Sequence, residues 1–282
     1  MKRVLIPTDF SDNSWNAIVY AMALYANIPC EFTLLNTYEL KSVQLASTLS
    51  SQRVGYFYDS VKEESQEGLK MIIDDINNCR TNSAHVFKTF SKQGSFVEVV
   101  QNLVTTSVFD MIVIGTKGAT GAKELFLGSN AQNLIKGVDH CPVLVIPEES
   151  FFKDISELAF ATDFERMYYK SEVRPIINLA EYYDARVRMI HVYDDPKLSH
   201  VQRYNSNSLE QYFKNIKYDF HVIPDFSTIE KAIQAFCEEF EIDILVMVKY
   251  EHSFIERLMR EPVIKKISFH TTIPFLIIPA DN

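Results

Sequence analysis

The chain alternates short, continuous apolar runs with longer stretches in which apolar residues return every three or four positions. The runs Val4–Pro7, Glu31–Thr37, Ala84–Phe90, Asp110–Ile114 and Val143–Ile146 predict five strands. Between them, helices are predicted over Asn13–Ala26, Val61–Arg80, Ser95–Thr105 and Ser129–Lys136. Further strands are predicted at Leu158–Ala161, Arg186–Tyr193, Asp219–Ile223, Ile244–Val248 and Phe275–Ile278. Strands that alternate with helices of this length build βαβ units on a parallel sheet, with helices on both faces. The fold class expected is α/β, as two tandem doubly wound open parallel five-stranded sheets. The segment Lys41–Ser60, with its aromatic trio Tyr56-Phe57-Tyr58, is expected as a packed surface loop rather than a lid over a ligand, and no role is assigned to it.

The two sets of strands are copies. Arg3–Phe10 and Glu157–Phe164 each run through apolar residues into the same tripeptide, Thr8-Asp9-Phe10 and Thr162-Asp163-Phe164. Asp110–Ile114 matches Asp243–Met247, and Pro142–Pro147 matches Pro274–Pro279. Internal duplication accounts for the length, and two domains are expected, residues 1–149 and 150–282. The two apolar edges Val143–Ile146 and Phe275–Ile278 are candidates for pairing within the chain, which would cover strands otherwise prone to aggregate.

Composition narrows the function classes. With 37 acidic and 28 basic residues among 282, the net charge of −9 argues against a nucleic-acid surface and suits small-molecule or protein partners. Cys30, Cys79, Cys141 and Cys237 are scattered without metal-ligand or disulfide spacing, which fits a reducing compartment. Met1–Pro7 is too short an apolar stretch for a signal peptide and no run is long enough to span a bilayer, so a cytoplasmic protein without a membrane segment is expected.

The candidate chemistry lies after the fourth strand. Four of the eight glycines, Gly115, Gly118, Gly121 and Gly128, fall in one window that opens at the end of an apolar run and closes on Ser129 at the head of a helical pattern. Such a loop gathers backbone N–H groups with no Cβ in the way of an anion, and the helix start adds partial positive charge. In an open parallel sheet the ligand crevice lies beyond the carboxyl ends of the strands where their order reverses, here between the first strand, ended by Asp9, and the fourth, ended by Gly115. Asp9 is placed either to accept hydrogen bonds from a ribose or hold a magnesium ion, or to cap the helix that follows, a task open also to Ser11 and Asp12. Lys117 and Lys123 can add charge to the loop.

The spacing Gly115-x2-Gly118-x9-Gly128-Ser129, the opening Ile6-Pro7-Thr8-Asp9-Phe10-Ser11, the strand Leu34-Leu35-Asn36-Thr37 and the closing Cys141–Pro147 together resemble the universal stress protein family. The likeness spans the first half and, more weakly, the second. It implies a Rossmann-like, adenine-nucleotide α hydrolase-like sheet of order 3-2-1-4-5 and an ATP site. Pro7, Thr8 and Thr37 would then line the adenosine pocket, the triphosphate would rest on the amides of Gly118 and its neighbours and of Gly128, Ser129 and Asn130, Ile114, Gly115 and Thr116 would complete the cofactor-binding set, and Asp9 would take the ribose or a Mg ion. Asn130 departs from the small or apolar residue usual in the family.

Aligned on the first half, the second places Val248 at the Gly115 position, Glu251 at Gly118, Glu261 at Gly128 and Pro262 at Ser129. Carboxylates where phosphates should lie, bulk against the backbone and a lost N–H donor exclude an ATP site there, despite Asp163. His191 is expected to be structural, and the Glu251, His252, Glu261 cluster a solvated acidic face rather than a cation site. The function expected is a stress-response regulator or sensor that binds ATP in its first half. No dedicated catalytic base is identifiable, so turnover is at most slow. The alternatives are a nucleotide-independent scaffold of the same fold and an ATP-using enzyme of the adenine-nucleotide α hydrolase-like group. A homodimer and a further protein partner stay open.

Overall fold

A computed structural model describes residues 1–39, 51–79, 82–116, 128–193, 197–224, 228–250 and 273–281. The chain divides into two compact units at Cys141/Pro142. The first contains β1 (Lys2–Pro7), α1 (Asp12–Leu24), β2 (Cys30–Tyr38), α2 (Ser51–Asn78), β3 (His85–Gln93), α3 (Phe96–Thr106), β4 (Met111–Gly115) and α4 (Ser129–Gly137). Its strands are parallel in the order β3-β2-β1-β4. Val4, Leu5, Ile6, Ile112 and Val113 are all buried, which is why these runs lack alternation: the central strands are covered on both faces. α1 buries Ala17, Ile18, Ala21 and Leu24, one face of a 3.6-residue repeat.

The second unit contains β5 (Val143–Ile146), β6 (Glu157–Ala161), α5 (Lys170–Tyr183), β7 (Arg186–Tyr193), α6 (His200–Phe213), β8 (Lys217–Pro224), α7 (Ile229–Glu239), β9 (Ile244–Lys249) and β10 (Phe275–Pro279). Its sheet order is β5-β10-β9-β6-β7-β8. Counted within the second copy, β10-β9-β6-β7-β8 is the arrangement 3-2-1-4-5. β5 joins this unit because it pairs antiparallel with β10, Val145 facing Phe275 and Val143 facing Ile277. The expected pairing of the two fifth-strand edges is therefore present.

One difference concerns the segment read as a loop. α2 starts at Ser51, ahead of the predicted Val61, so residues 51–60 are helical; residues 40–50 lie outside the described residues. Gly55 and the three consecutive aromatics lower helix propensity there, but propensity is a weak prior against the continuation of an established helix.

The duplicated aspartate before each fourth strand fastens the first strand. Asp110 Oδ2 accepts the Arg3 N–H at 2.8 Å. Asp243 Oδ2 accepts the N–H groups of Ser156 at 2.7 Å and Glu157 at 2.9 Å, and Asp243 Oδ1 lies 2.7 Å from Lys153 Nζ. Burial opposes ionisation of Asp243, but the Lys153 ammonium and the two backbone N–H groups outweigh it and hold the carboxyl below its ordinary range. A folded-state value below the unfolded one stabilises the fold above about pH 4, the unfolded range, and this contribution is lost as pH falls through the folded value. Asp243→Asn should lower stability at neutral pH by about 1–3 kcal/mol and flatten its decline below about pH 4, checked by urea denaturation across pH. Charging the β5–β10 contact, as in Val145→Asp, should cost upward of about 3 kcal/mol; a wild-type melting curve would contradict that pairing.

Candidate functional site

Three segments of the first unit meet at the carboxyl ends of β1 and β4. The first is the turn Thr8–Asn13. Thr8 is buried; its N–H donates to Leu35 O at 2.8 Å, its hydroxyl lies 2.9 Å from Ser14 Oγ, and its carbonyl accepts Asn36 Nδ2 at 2.8 Å. Asp9 is half-buried, and its Oδ1 accepts the Ser11 hydroxyl at 2.6 Å and the Ser11 N–H at 3.2 Å. Ser11 in turn caps α1, accepting from Ser14 N. The helix cap is thus Ser11, and Asp9 braces it from two residues ahead of the cap.

The second segment is the end of β4. Ile114 and Gly115 are buried, and Thr116 is half-buried. A Cβ on Gly115 would lie 1.8 Å from Asn13 Oδ1 and 2.9 Å from the Asn13 carbonyl oxygen. Gly115 therefore lets α1 seat directly on β4, and Asn13, which the sequence did not single out, is its partner. The third segment is the start of α4. Gly128 N–H donates to the Thr116 carbonyl, so the two ends of the glycine window close on each other. Gly128 is the N-cap residue, Ser129 and Asn130 are exposed in the first turn, and no acidic residue sits there. The N–H groups of a helix's first turn have no intrahelical acceptor and carry the positive end of its dipole.

Of the predicted site residues, Pro7, Thr8 and Asp9 stand at the end of β1, and Thr37, half-buried on the neighbouring β2, follows the Asn36 that holds Thr8. Ile114, Gly115, Thr116, Gly128, Ser129 and Asn130 form the opposite side. Gly118, Lys117 and Lys123 lie outside the described residues. The donors at the end of β4 and the start of α4, backbone amides and the Ser129 hydroxyl, suit an anion, and the Asp9 carboxylate stands at the end of the neighbouring β1. Among the described residues no group of three or more His, Cys, Asp or Glu is placed to hold a metal ion. A magnesium ion, which keeps waters and phosphate oxygens as ligands, needs only one or two carboxylates and fits Asp9 on that basis.

The second unit repeats the first turn and sets Tyr168, Arg166 and Tyr250 beside it. Thr162 Oγ1 lies 2.6 Å from Tyr168 Oη, and its carbonyl accepts His191 Nδ1 at 3.1 Å. His191 is buried and thus occupies the structural place of Asn36. Asp163 Oδ1 accepts the Glu165 N–H at 3.0 Å and the Tyr250 hydroxyl. The Arg166 guanidinium lies 5.4 Å from the Tyr168 ring and 5.3 Å from the Tyr250 ring, and its Nη2 is 2.7 Å from the buried Glu172. Burial, with Tyr168 and Asp163 close by, pushes the Tyr250 phenol well above its ordinary range, so it stays a hydrogen-bond donor. Of the positions that the sequence aligns with the glycine window, Val248, at the Gly115 place, is buried on β9; Glu251, Glu261 and Pro262 lie outside the described residues, as does His252 of the expected acidic face.

A model of the universal stress protein family matches residues 1–147. The chain is 31% identical over 148 residues to Universal stress protein MJ0531 of Methanocaldococcus jannaschii, covering 51% of this chain and 81% of that one. It is 22% identical over 294 residues to Universal stress protein Slr1230 of Synechocystis sp., covering 98% and 99% of the two chains. The crystal structure of a universal stress protein from Archaeoglobus fulgidus superimposes with a TM-score of 0.71 at 18% identity, over 98% of this chain and 97% of that one, a likeness of fold. No described helix is long and apolar enough to cross a membrane.

The Gly115–Asn13 contact yields a direct test. Gly115→Ala should cost about 1–3 kcal/mol of stability, measured by chemical denaturation, because the added methyl meets backbone as well as side chain.

Proposed function

The chain belongs to the universal stress protein family, and on that premise we propose that its N-terminal half, residues 1–149, binds ATP at the carboxyl ends of β1 and β4 and acts as a stress-response regulator or sensor. The observation that carries this reading is the closure of Thr116 on Gly128, which sets an acid-free helix start at the end of β4, the strand that pairs with the β1 that Asp9 follows. The triphosphate would rest on the amides of Gly128 to Asn130 and on the Ser129 hydroxyl, with Gly118 and the glycine window completing the cradle. Asp9 would take the ribose or, through Mg, the phosphates. Pro7, Thr8 and Thr37 would border the adenosine.

Gly128 supports the reading in a specific way. Its φ of −56° and ψ of 153° lie near the polyproline region open to every residue, so backbone conformation does not require glycine there. On the nucleotide reading, the missing side chain leaves room for a phosphate beside the first helical amides.

The C-terminal half, residues 150–282, is read as a non-binding partner domain of the cytoplasmic protein. Among the described residues no dedicated general base is identifiable at the helix start, and on this reading hydrolysis would be slow at most. The scaffold alternative draws on one observation: the second unit keeps the same turn with Tyr168, Arg166 and Tyr250 clustered beside it. Titration calorimetry of nucleotide-free protein with ATP and magnesium separates the two. Binding by the wild type, weakened at least about tenfold in Gly128→Glu, which copies the charge of Glu261, is expected; an absence of binding heat in the wild type favours the scaffold.

A further inference from the structure

Phe10 follows Asp9 and has no part in the cradle, yet it is held in an uncommon state. Its φ of 67° lies in the left-handed region, which bulky residues rarely adopt, and the residue as a whole is 41% exposed. The Phe10 N–H is tied to Thr8 Oγ1 at 3.1 Å, which keeps the strained peptide in place beside Asp9. The tip of the ring points into α2 at Gly68, where a Cβ would stand 2.6 to 2.8 Å from three ring atoms. Gly68 sits mid-helix, where glycine is unfavourable, between Ser65, whose hydroxyl is 2.8 Å from Ser91 Oγ on β3, and the buried Leu69 and Ile72. A glycine retained there makes a notch that seats the ring.

The second unit makes the same connection by other means. Phe164 has a φ of 55° and donates its N–H to Thr162 Oγ1 at 3.1 Å. α6, the counterpart of α2 between the second and third strands, reaches this turn with Asn205 Nδ2 on the Phe164 carbonyl at 2.8 Å and Gln202 Nε2 on the Asp163 carbonyl at 3.0 Å. In both halves the helix after the second strand holds the turn that carries the aspartate.

We propose that Phe10 and Gly68 are positioning residues that couple α2 to the crevice: seating the ring in the notch fixes the backbone that aims Asp9, and a nucleotide held by that turn in turn fixes α2. Such a coupling is reciprocal. It rests on the ATP reading above and makes α2 the element through which occupancy is passed on.

The test is a double-mutant cycle read by calorimetry with ATP and magnesium and by hydrogen exchange across residues 65–76. Gly68→Ala removes a helix-interior glycine, so thermal stability should hold or rise, while the displaced ring should weaken ATP binding roughly fivefold or more. Phe10→Ala should weaken it similarly, and Gly68→Ala in the Phe10→Ala background should add nothing. In the wild type, ATP should slow exchange in α2; in either single variant that slowing should shrink. Met71→Ala, on the exposed side of α2, should leave both readouts unchanged. Should Gly68→Ala fail to fold, Phe10→Ala carries the exchange comparison alone. ATP binding with wild-type affinity in both variants, with α2 exchange still responding, would overturn the coupling and leave the ATP site standing. A wild type that binds no ATP would overturn both.

Discussion

The crevice edge of each half depends on one local constraint: a phenylalanine must be kept at positive φ immediately after the aspartate. For an L-residue this conformation costs roughly 1–2 kcal/mol, and both copies offset it with the same set of bonds. The hydroxyl of Thr8 or Thr162 accepts the phenylalanine N–H. A hydroxyl six residues on, Ser14 or Tyr168, bonds the threonine. A donor from the second strand, Asn36 or His191, holds the threonine carbonyl. With the turn pinned at these points the aspartate carboxylate has a defined position, and the helix that follows starts at a fixed distance from the sheet.

The same bonding pattern serves opposite ends because it leaves the bulk of the bonding residue free. Ser14 satisfies Thr8 with a hydroxyl and little else, so α1 can come down onto Gly115. Tyr168 satisfies Thr162 with a hydroxyl at the tip of a ring that packs edge to face against Phe160 at 5.5 Å and carries Arg166 on its face. Tyr250 adds its hydroxyl to the Asp163 carboxylate, a bond with no counterpart among those that hold Asp9 to Ser11. Both halves thus share the geometry of the turn and differ in the side chains beside it.

The fold was legible because its signals are periodic. Fully buried strands such as Met111–Gly115 leave continuous apolar runs, and the copied Asp110 and Asp243 marked the start of equivalent strands. α2 was read short because Gly55 and the aromatics beside it interrupt the pattern, although the helix runs through them. Within the candidate site, the placement of Asp9, Gly115 and Gly128 at one edge followed from topology. The roles of Asn13, Asn36 and Gly68 did not. Each acts through a contact with a residue far along the chain, and no local pattern reports such a contact. Asn36 carried one usable signal, its alignment with His191, since two different side chains at one place on the strand suggest a shared hydrogen-bonding task.

The glycines divide along the same line. Gly115 is required by packing: α1 approaches so closely that even one methyl has no room. Its presence would be explained if no nucleotide ever bound, and by itself it distinguishes nothing. Gly68 is required by a ring from another element. Gly128 is different, since its dihedrals suit any residue and its place is at the amides of a helix start. A side chain there would stand beside those donors, and the second copy carries Glu261 at the matching position. The weight of the nucleotide assignment therefore falls on Gly128 rather than on the number of glycines in the window, and a glycine-rich loop becomes informative only after the glycines demanded by packing have been set aside.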